Sequence, residues 1–360
     1  MGATLRVGAP DLLEARGIID NNAPPAIPAD FLNTLRRDGV LHGNDAKITP
    51  LTDGVSSEIF RVDQDGDTFV VKRALAKLRV KDDWTANVNR NRYEQLFIEY
   101  VARFLPRAVP HRRPGPRDRG YFAMEFLGSE FTSWKQLLLR GEARVEDAER
   151  AATILGLIHA HSAADSEAAR QFDTTANFIQ LRIDPYLLTT GNRHSDLRDL
   201  FHAESQRLAS TRQCLVHGDF SPKNLMVSAS RMVILDCEVA WYGDPAFDLA
   251  FLFTHLLLKG LYHMPRQIGL EEMCIAFWNR YVEEVGKAID PWVLEPRVAR
   301  LLLMLLLARI DGKSTIEYLR KQQAEWVRQF SRAGILAGYS RLGDILPRWF
   351  TDINECEALR

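Results

Sequence analysis

Two hydrophobic periods divide the chain. From 47 to 74, KITPLTDGVSSEIFRVDQDGDTFVVKRA alternates apolar and polar residues and is interrupted at Gly54 and at Asp65-Gly66. A period of two with short glycine turns predicts strand, turn, strand, tight turn, strand. Within FVVK the alternation puts Phe69 and Val71 on one face, Val70 and Lys72 on the other, and turns Arg73 away from Lys72. From 87 to 105 the period becomes helical, with Tyr93, Leu96, Phe97, Tyr100, Val101 and Phe104 on one stripe. PHRRPGPRDRG then reads as a loop and YFAMEFL, 121–127, as a strand. Upstream, residues 11–45 read as short helices around the proline-rich NNAPPAIPAD, the last ending near Gly39.

After Gly128 the pattern is helical. VEDAERAATILGLIHAHSA is a long helix with Leu155 and Ile158 on its stripe. LMVSASRMVILD is two short apolar runs joined by Ser-Ala-Ser, a β-hairpin. From about 246 the chain is mostly helices rich in Leu, Phe and Trp. The run LLLMLLLA at 301–308 falls far short of the roughly 20 apolar residues that span a bilayer, and reads as a buried helix. These elements predict an α+β protein in three parts: a helical extension (1–45) packed on a β-rich N-lobe (46–128), and a helical C-lobe (129–360) that carries the hairpin.

Composition narrows the partners. Among 360 residues, 46 are Lys or Arg and 47 Asp or Glu, a formal net charge of -1. Such a chain has no global charge to attract nucleic acid or an anionic membrane, and neither is expected as partner. Cys214, Cys237, Cys274 and Cys356 lack metal-ligand spacing and read as reduced thiols of a cytoplasmic protein. MGATLRVGAPDLLEARG lacks an apolar signal-peptide core.

The chemistry concentrates in LVHGDFSPKN, residues 215–224. Alone it is a good polar turn. Twelve residues after Asn224, however, the hairpin's second strand runs into ILDCE, which supplies Asp236 and Glu238. A hairpin brings its ends together, so Asn224 and Asp236 face the same cleft. One amide oxygen and one or two carboxylates are hard oxygen donors of the kind Mg²⁺ takes alongside water and phosphate oxygens. Asp219 lies near such an ion without binding it, where it can accept or orient the proton of an attacking hydroxyl.

HGDFSPKN followed by ILDCE resembles the catalytic and metal loops of the protein-kinase-like fold. More narrowly it is similar to the aminoglycoside phosphotransferase, choline kinase and methylthioribose kinase superfamily, with its H-G-D-x-x-x-x-N loop and Asp-x-Asp or Asp-x-Glu motif. The resemblance implies a bilobal fold with a small antiparallel sheet and a larger helical lobe. It implies Asp219 as catalytic base, Asn224 and Asp236 as Mg²⁺ ligands with Glu238 as helper, and His217 as a support of the loop. Asp248 would accept hydrogen bonds from the catalytic loop's backbone. In the N-lobe, Gly54, Ser56 and Ser57 would cover the nucleotide's phosphates, although an ordinary hairpin is an equal reading of that stretch. Lys72 would clamp phosphate and pair with a helix glutamate, Glu94 in preference to Glu99. The backbone of Glu125 to Leu127 would meet the base, with Met124 lining its pocket. Asp244 reads as a helix cap.

The expected reaction is transfer of the γ-phosphate of ATP or GTP to a hydroxyl of a small metabolite or aminoglycoside-like compound, with a nucleotide-binding, non-catalytic regulator as the alternative. Because Lys72, Glu94, Asp219, Asn224 and Asp236 are all present, the enzyme is favoured. For the acceptor, Arg309, Asp311 and Lys313 at the end of a greasy helix are candidates, equally readable as capping and surface charge. Trp134, Lys135, Arg182 and Tyr186 are further residues that could reach the cleft. Residues 291–332 carry eight Lys or Arg against four Asp or Glu, which leans away from polycations toward a neutral or anionic acceptor.

Overall fold

The computed structural model describes residues 27–43, 45–51, 57–75, 90–115, 118–356 and 359. The first part is helix α1 (Ala29–Arg37), strands β1 (Lys47–Leu51), β2 (Ser57–Gln64) and β3 (Asp67–Ala74), helix α2 (Arg90–Ala102) and strand β4 (Tyr121–Glu125). The strands form one antiparallel sheet in the order β1-β2-β3-β4. Its tight turn needs both central residues at positive φ. Asp65 takes +54° and Gly66 +78°, which sets β2 against β3 in the register Gln64 to Asp67.

The sheet buries both faces. Phe69 and Val71 pack with Phe60, Val62, Tyr121 and Ala123 against Phe31 and Leu35 of α1, one turn apart on that helix. Val70, Phe122 and Met124 point the other way, into the main core with Phe97 and Val101 of α2. Arg73 joins the α1 side, paired with Glu58 and with its guanidinium 4.3 Å from the Phe31 ring centroid. The alternation read from FVVK therefore holds, and leaves Lys72 on the inner face.

The second part begins with β5 (Thr132–Ser133), α3 (Trp134–Leu139) and α4 (Val145–Ser162). Next come α5 (Ser166–Gln171), α6 (Thr175–Phe178), a π-helical stretch at Ile179–Leu188, α7 (Thr189–Arg193) and α8 (Arg198–Ser210). Strand β6 (Cys214–Val216) precedes the polar loop. A 3-10 turn at Pro222–Asn224 leads into the hairpin β7 (Leu225–Val227) and β8 (Met232–Ile234), and β9 (Trp241–Gly243) follows. The remainder is α9 (Ala246–His263), α10 (Leu270–Val285), α11 (Pro291–Asp311), α12 (Lys321–Ala337) and α13 (Leu342–Glu355). β7 pairs with both β5 and β8, and β6 with β9.

α9 and α11 form the centre of this part. Leu301 to Ala308 are all buried in α11, as the sequence predicts. No helix among the described residues is long and apolar enough to cross a membrane. The four cysteines are free thiols, three of them buried. The π-helical turn was not legible in the sequence. Pro185 inside it has no N–H to donate, which favours a widened turn there over a regular ladder.

Candidate active site

The polar loop is held from below by one residue. Asp248, fully buried in the first turn of α9, accepts the backbone N–H of His217 at 2.7 Å and of Gly218 at 2.9 Å, one on each carboxylate oxygen. His217 works within the loop. Its Nδ1 accepts the Asp219 N–H at 3.0 Å, so its Nε2 is the donor to Leu235 O at 3.2 Å. That is a neutral imidazole, and burial pushes its pKa below the ordinary value. Asp244 accepts the Ala246 N–H at 3.0 Å, as a cap does, and is also tied to Arg207 and Arg297.

Gly218 is required for the bend. Its φ is +76°, and a Cβ there would stand 2.6 Å from Val239 O. Gly218→Ala is expected to destabilise the protein by about 1–3 kcal/mol and to reduce activity further than the loss of fold explains, because Asp219 moves with the bend. Thermal melting and residual activity of the folded fraction would check this.

Asp219 is nearly buried yet surrounded by donors. Asn224 Nδ2 donates to its Oδ2 and to its backbone O, both at 2.9 Å. Lys223 Nζ lies 3.1 Å and Arg182 Nη2 3.3 Å from Oδ2. Burial opposes the carboxylate's charge, but Lys223 and Arg182 outweigh it and hold its pKa below the usual range. The sequence reading placed Arg182 near the cleft but gave it no partner, and did not single out Lys223. Arg182 also donates to Gly218 O, so it grips the loop at two points from the π-helical turn.

The hairpin closes the other side. Leu235 N donates to Asn224 O at 2.8 Å, continuing the β7–β8 ladder and bringing Asp236 alongside Asn224. Asp236 sits at φ +63°, a conformation that costs a non-glycine residue energy and recurs at functional sites. Lys72 Nζ reaches its Oδ1 at 2.7 Å and Glu94 Oε1 at 2.7 Å. Glu99 instead lies 3.4 Å from Arg112, so Glu94 is the partner of Lys72. Burial works against the Lys72 charge, but Asp236 and Glu94 more than offset it and raise its pKa. Glu94 is pushed up to about 7 by burial, with Lys72 pulling the other way.

Glu238 is paired with Arg90, whose Nε donates to it at 2.9 Å from the first turn of α2. Arg90 is fully buried and carried no signal in the sequence beyond its place at the start of a helix. Ligand atoms of Glu94, Asp236 and Glu238 lie within 4.8 Å of one another. Against these three carboxylates stand the cations Lys72 and Arg90, which leaves one negative charge beside Asn224. Because Asn224 spends its amide nitrogen on Asp219, its oxygen is the end left for other partners. An amide oxygen beside carboxylates with residual negative charge fits a hard divalent cation.

The remaining sequence candidates separate. Ser57 opens β2 with a buried hydroxyl that has no hydrogen-bond partner among the described residues; Gly54 and Ser56 lie outside them. Met124 is buried at the end of β4 opposite Val70. Glu125 gives its N–H to His111 O at 2.8 Å and its carboxylate to Arg231 at 2.6 Å. Its amide is therefore committed, and the segment open to a base runs on toward Leu127, beyond the strand. Asp311 is committed to His194 at 2.9 Å and Arg328 at 2.7 Å. Lys313 forms a half-exposed pair with Asp184 at 2.6 Å. Both side chains are thus spent on neighbouring charges. Arg309 alone turns inward, with its guanidinium carbon 6.0 Å from the Tyr186 ring centroid. Trp134 is core.

Residues 47–271 match the family model described as the phosphotransferase enzyme family, APH. The chain belongs to this family. A methylthioribose kinase of Bacillus cereus (strain AH820) is 22% identical over 302 residues, covering 75% of this chain and 76% of that protein. Among solved structures, the amicoumacin kinase hAmiN, in complex with AMP-PNP, Ca²⁺ and Ami, matches with a TM-score of 0.56 at 14% identity, over 86% of this chain and 94% of that one. Choline kinase from Cryptosporidium parvum Iowa II matches at 0.53 and 12% identity, over 88% and 99%. Membership makes the protein a phosphotransferase of the small-molecule kinase kind, and the structural likenesses share its α+β fold. The family match spans the N-lobe sheet, the polar loop and the start of α10, and so contains every group of the cluster around Lys72, Asp219 and Asp236.

Proposed function

We propose that the protein transfers the γ-phosphate of ATP or GTP to a hydroxyl of a small molecule, with Asp219 receiving the hydroxyl proton. The observation that carries this is the shared partner: Asn224 holds Asp219 through its amide nitrogen while the hairpin sets it beside Asp236, which Lys72 holds from the N-lobe. Groups suited to the nucleotide and to the acceptor thus meet on one short loop.

Lys72, fixed by Glu94, serves as the phosphate clamp, and Ser57 with Gly54 and Ser56 as the phosphate loop. Met124 lines the base pocket, and the backbone beyond Glu125, toward Leu127, faces the base edge. Asn224 and Asp236 would hold Mg²⁺, with Glu238 as helper, and the ion would neutralise charge on the phosphates. Asp219 is a weak base because Lys223 and Arg182 stabilise its ionised form. Its first task is therefore to orient the acceptor O–H in line with the phosphorus; it takes the proton late, when the oxygen has lost most of its basicity. His217 and Asp248 keep the loop in shape. A sugar-like hydroxyl suits the reading, since a relative is named for methylthioribose.

A nucleotide-consumption screen over sugars, amino alcohols, hydroxy acids and aminoglycosides, with Asp219→Asn as control, tests the proposal. Turnover of no acceptor in the presence of bound ATP would favour a non-catalytic regulator. The pH profile supplies a second check. Asp219 must be ionised to act and is ionised above its lowered pKa, so its acid limb lies below the usual carboxylate range. Under saturating substrates Asp219 is expected to give no limb in kcat between about pH 7 and about pH 5; Glu94, pushed up to about 7, is the carboxyl that titrates there, and Glu94→Gln should remove any limb seen in that window.

A further inference from the structure

α9 begins beneath the catalytic loop and carries Phe251, His255 and Lys259 at successive four-residue steps, one stripe along the helix. The near end touches the site. Arg182, partner of Asp219, has its guanidinium carbon 5.9 Å from the Phe251 ring centroid, and the His255 ring is 5.1 Å from Phe251. At the far end is Lys259, 2% exposed. No carboxylate among the described residues pairs with it. Its Nζ reaches back toward the catalytic end to the His255 carbonyl, at 3.4 Å, and lies 5.8 Å from the Tyr318 ring centroid.

The surroundings are cationic. Burial, and after it the charges of Lys135 and Arg309, push Lys259 down to about 7. His255 is depressed by burial and then by Lys259, Arg309, Lys223 and Lys135. The Tyr318 hydroxyl and Arg309 Nε are buried without a hydrogen-bond partner among the described residues. Arg309 also reaches the Tyr186 hydroxyl, at 3.5 Å. A buried ammonium beside like charges is unfavourable unless something supplies the counter-charge. An ammonium, a guanidinium and a phenol with unused donors match the oxygens of one carboxylate or phosphate.

We propose that the acceptor carries an anionic group, carboxylate or phosphate, held by Lys259, Arg309 and Tyr318 while its hydroxyl lies at Asp219. This rests on the kinase reading and names the acceptor's class. Lys135 adds to the positive charge around that group, and Arg182 connects it through His255 and Phe251 to the catalytic loop.

The test uses the full chain and acceptors matched in skeleton: ribitol, ribonate and ribitol 5-phosphate, with choline as the cation. The anionic members are expected to exceed ribitol in kcat/KM by about 100-fold, and Lys259→Met to remove most of that preference through KM. Whether ribonate or ribitol 5-phosphate leads tells carboxylate from phosphate. Binding is read separately from turnover, as the melting shift in malonate or inorganic phosphate against chloride at equal ionic strength. The wild type should gain stability, and Lys259→Met should not. Lys259→Met is expected to melt no lower than wild type without anion, since it removes an uncompensated charge. Should it fail to fold, Tyr318→Phe is the second variant, with KM for the preferred anion raised about 10-fold. Preference for ribitol or choline overturns the proposal and leaves the kinase reading intact. So does an anion response equal in wild type and variant. An anion response lost in Lys259→Met, with no acceptor phosphorylated, supports the anion site and counts against the kinase reading.

Discussion

Replacing Asp219 with Asn is expected to lower kcat by about 10³–10⁴-fold while the nucleotide Kd changes little. The substitution keeps the shape and removes the charge. Asn224 Nδ2 now donates to the carboxylate at 2.9 Å and could still donate to an amide oxygen, so the loop should keep its form. Lys223 and Arg182 lose their counter-charge, and the acceptor O–H loses its acceptor. Asp236 and Lys72 lie across the hairpin with their own partners, which is why nucleotide binding should survive. Calorimetry of ATP binding and single-turnover phosphorylation separate the two effects. Equal turnover in the variant and wild type would remove Asp219 from the chemistry.

Much of this site was legible because its residues come from two kinds of local signal. HGDFSPKN and ILDCE are contiguous, and the apolar runs between them announce the hairpin that joins them. Lys72 was legible from strand alternation, because a period of two fixes the face without tertiary information. The choice of Glu94 over Glu99 rested on position in the helix and is decided by geometry. Less legible were charges whose partners lie far along the chain. Arg90 meets Glu238 across 148 residues, and Arg182 meets the Asp219 loop from a π-helical turn with no sequence signature of its own. His255 and Lys259 were visible as polar residues four apart in AFDLAFLFTHLLLKGLYH, a hydrophobic helix. A polar pair in such a helix is a signal that can be sought. Asp311 and Lys313 show the opposite case: charges at a helix end whose partners, Arg328 and Asp184, are ordinary ones.

Lys72→Met should be the most damaging single change to both stability and nucleotide use. Lys72 is buried between Glu94 and Asp236, and Glu238 adds further negative charge nearby. Removing the ammonium leaves carboxylates facing each other at low exposure, a loss of about 3–5 kcal/mol for breaking a buried pair from one side. The sign of its pH dependence follows from Glu94. Its pKa in the folded protein is already pushed up to about 7 by burial against the pull of Lys72, and rises further without Lys72. The folded state then holds a proton that the unfolded chain releases near the ordinary glutamate value. The variant's deficit should accordingly stay level from about pH 5 to about pH 7 and widen above about 7, where wild-type Glu94 gives up its proton and the variant's does not. Lys72→Met with Glu94→Gln should recover about half of the lost stability, because one uncompensated charge is gone, yet recover no turnover, because the phosphate clamp is still missing. Melting of the single and double variants at pH 5 and pH 8, with turnover measured beside it, distinguishes these effects. A double variant no more stable than Lys72→Met would show that the buried pair is not what the lysine stabilises.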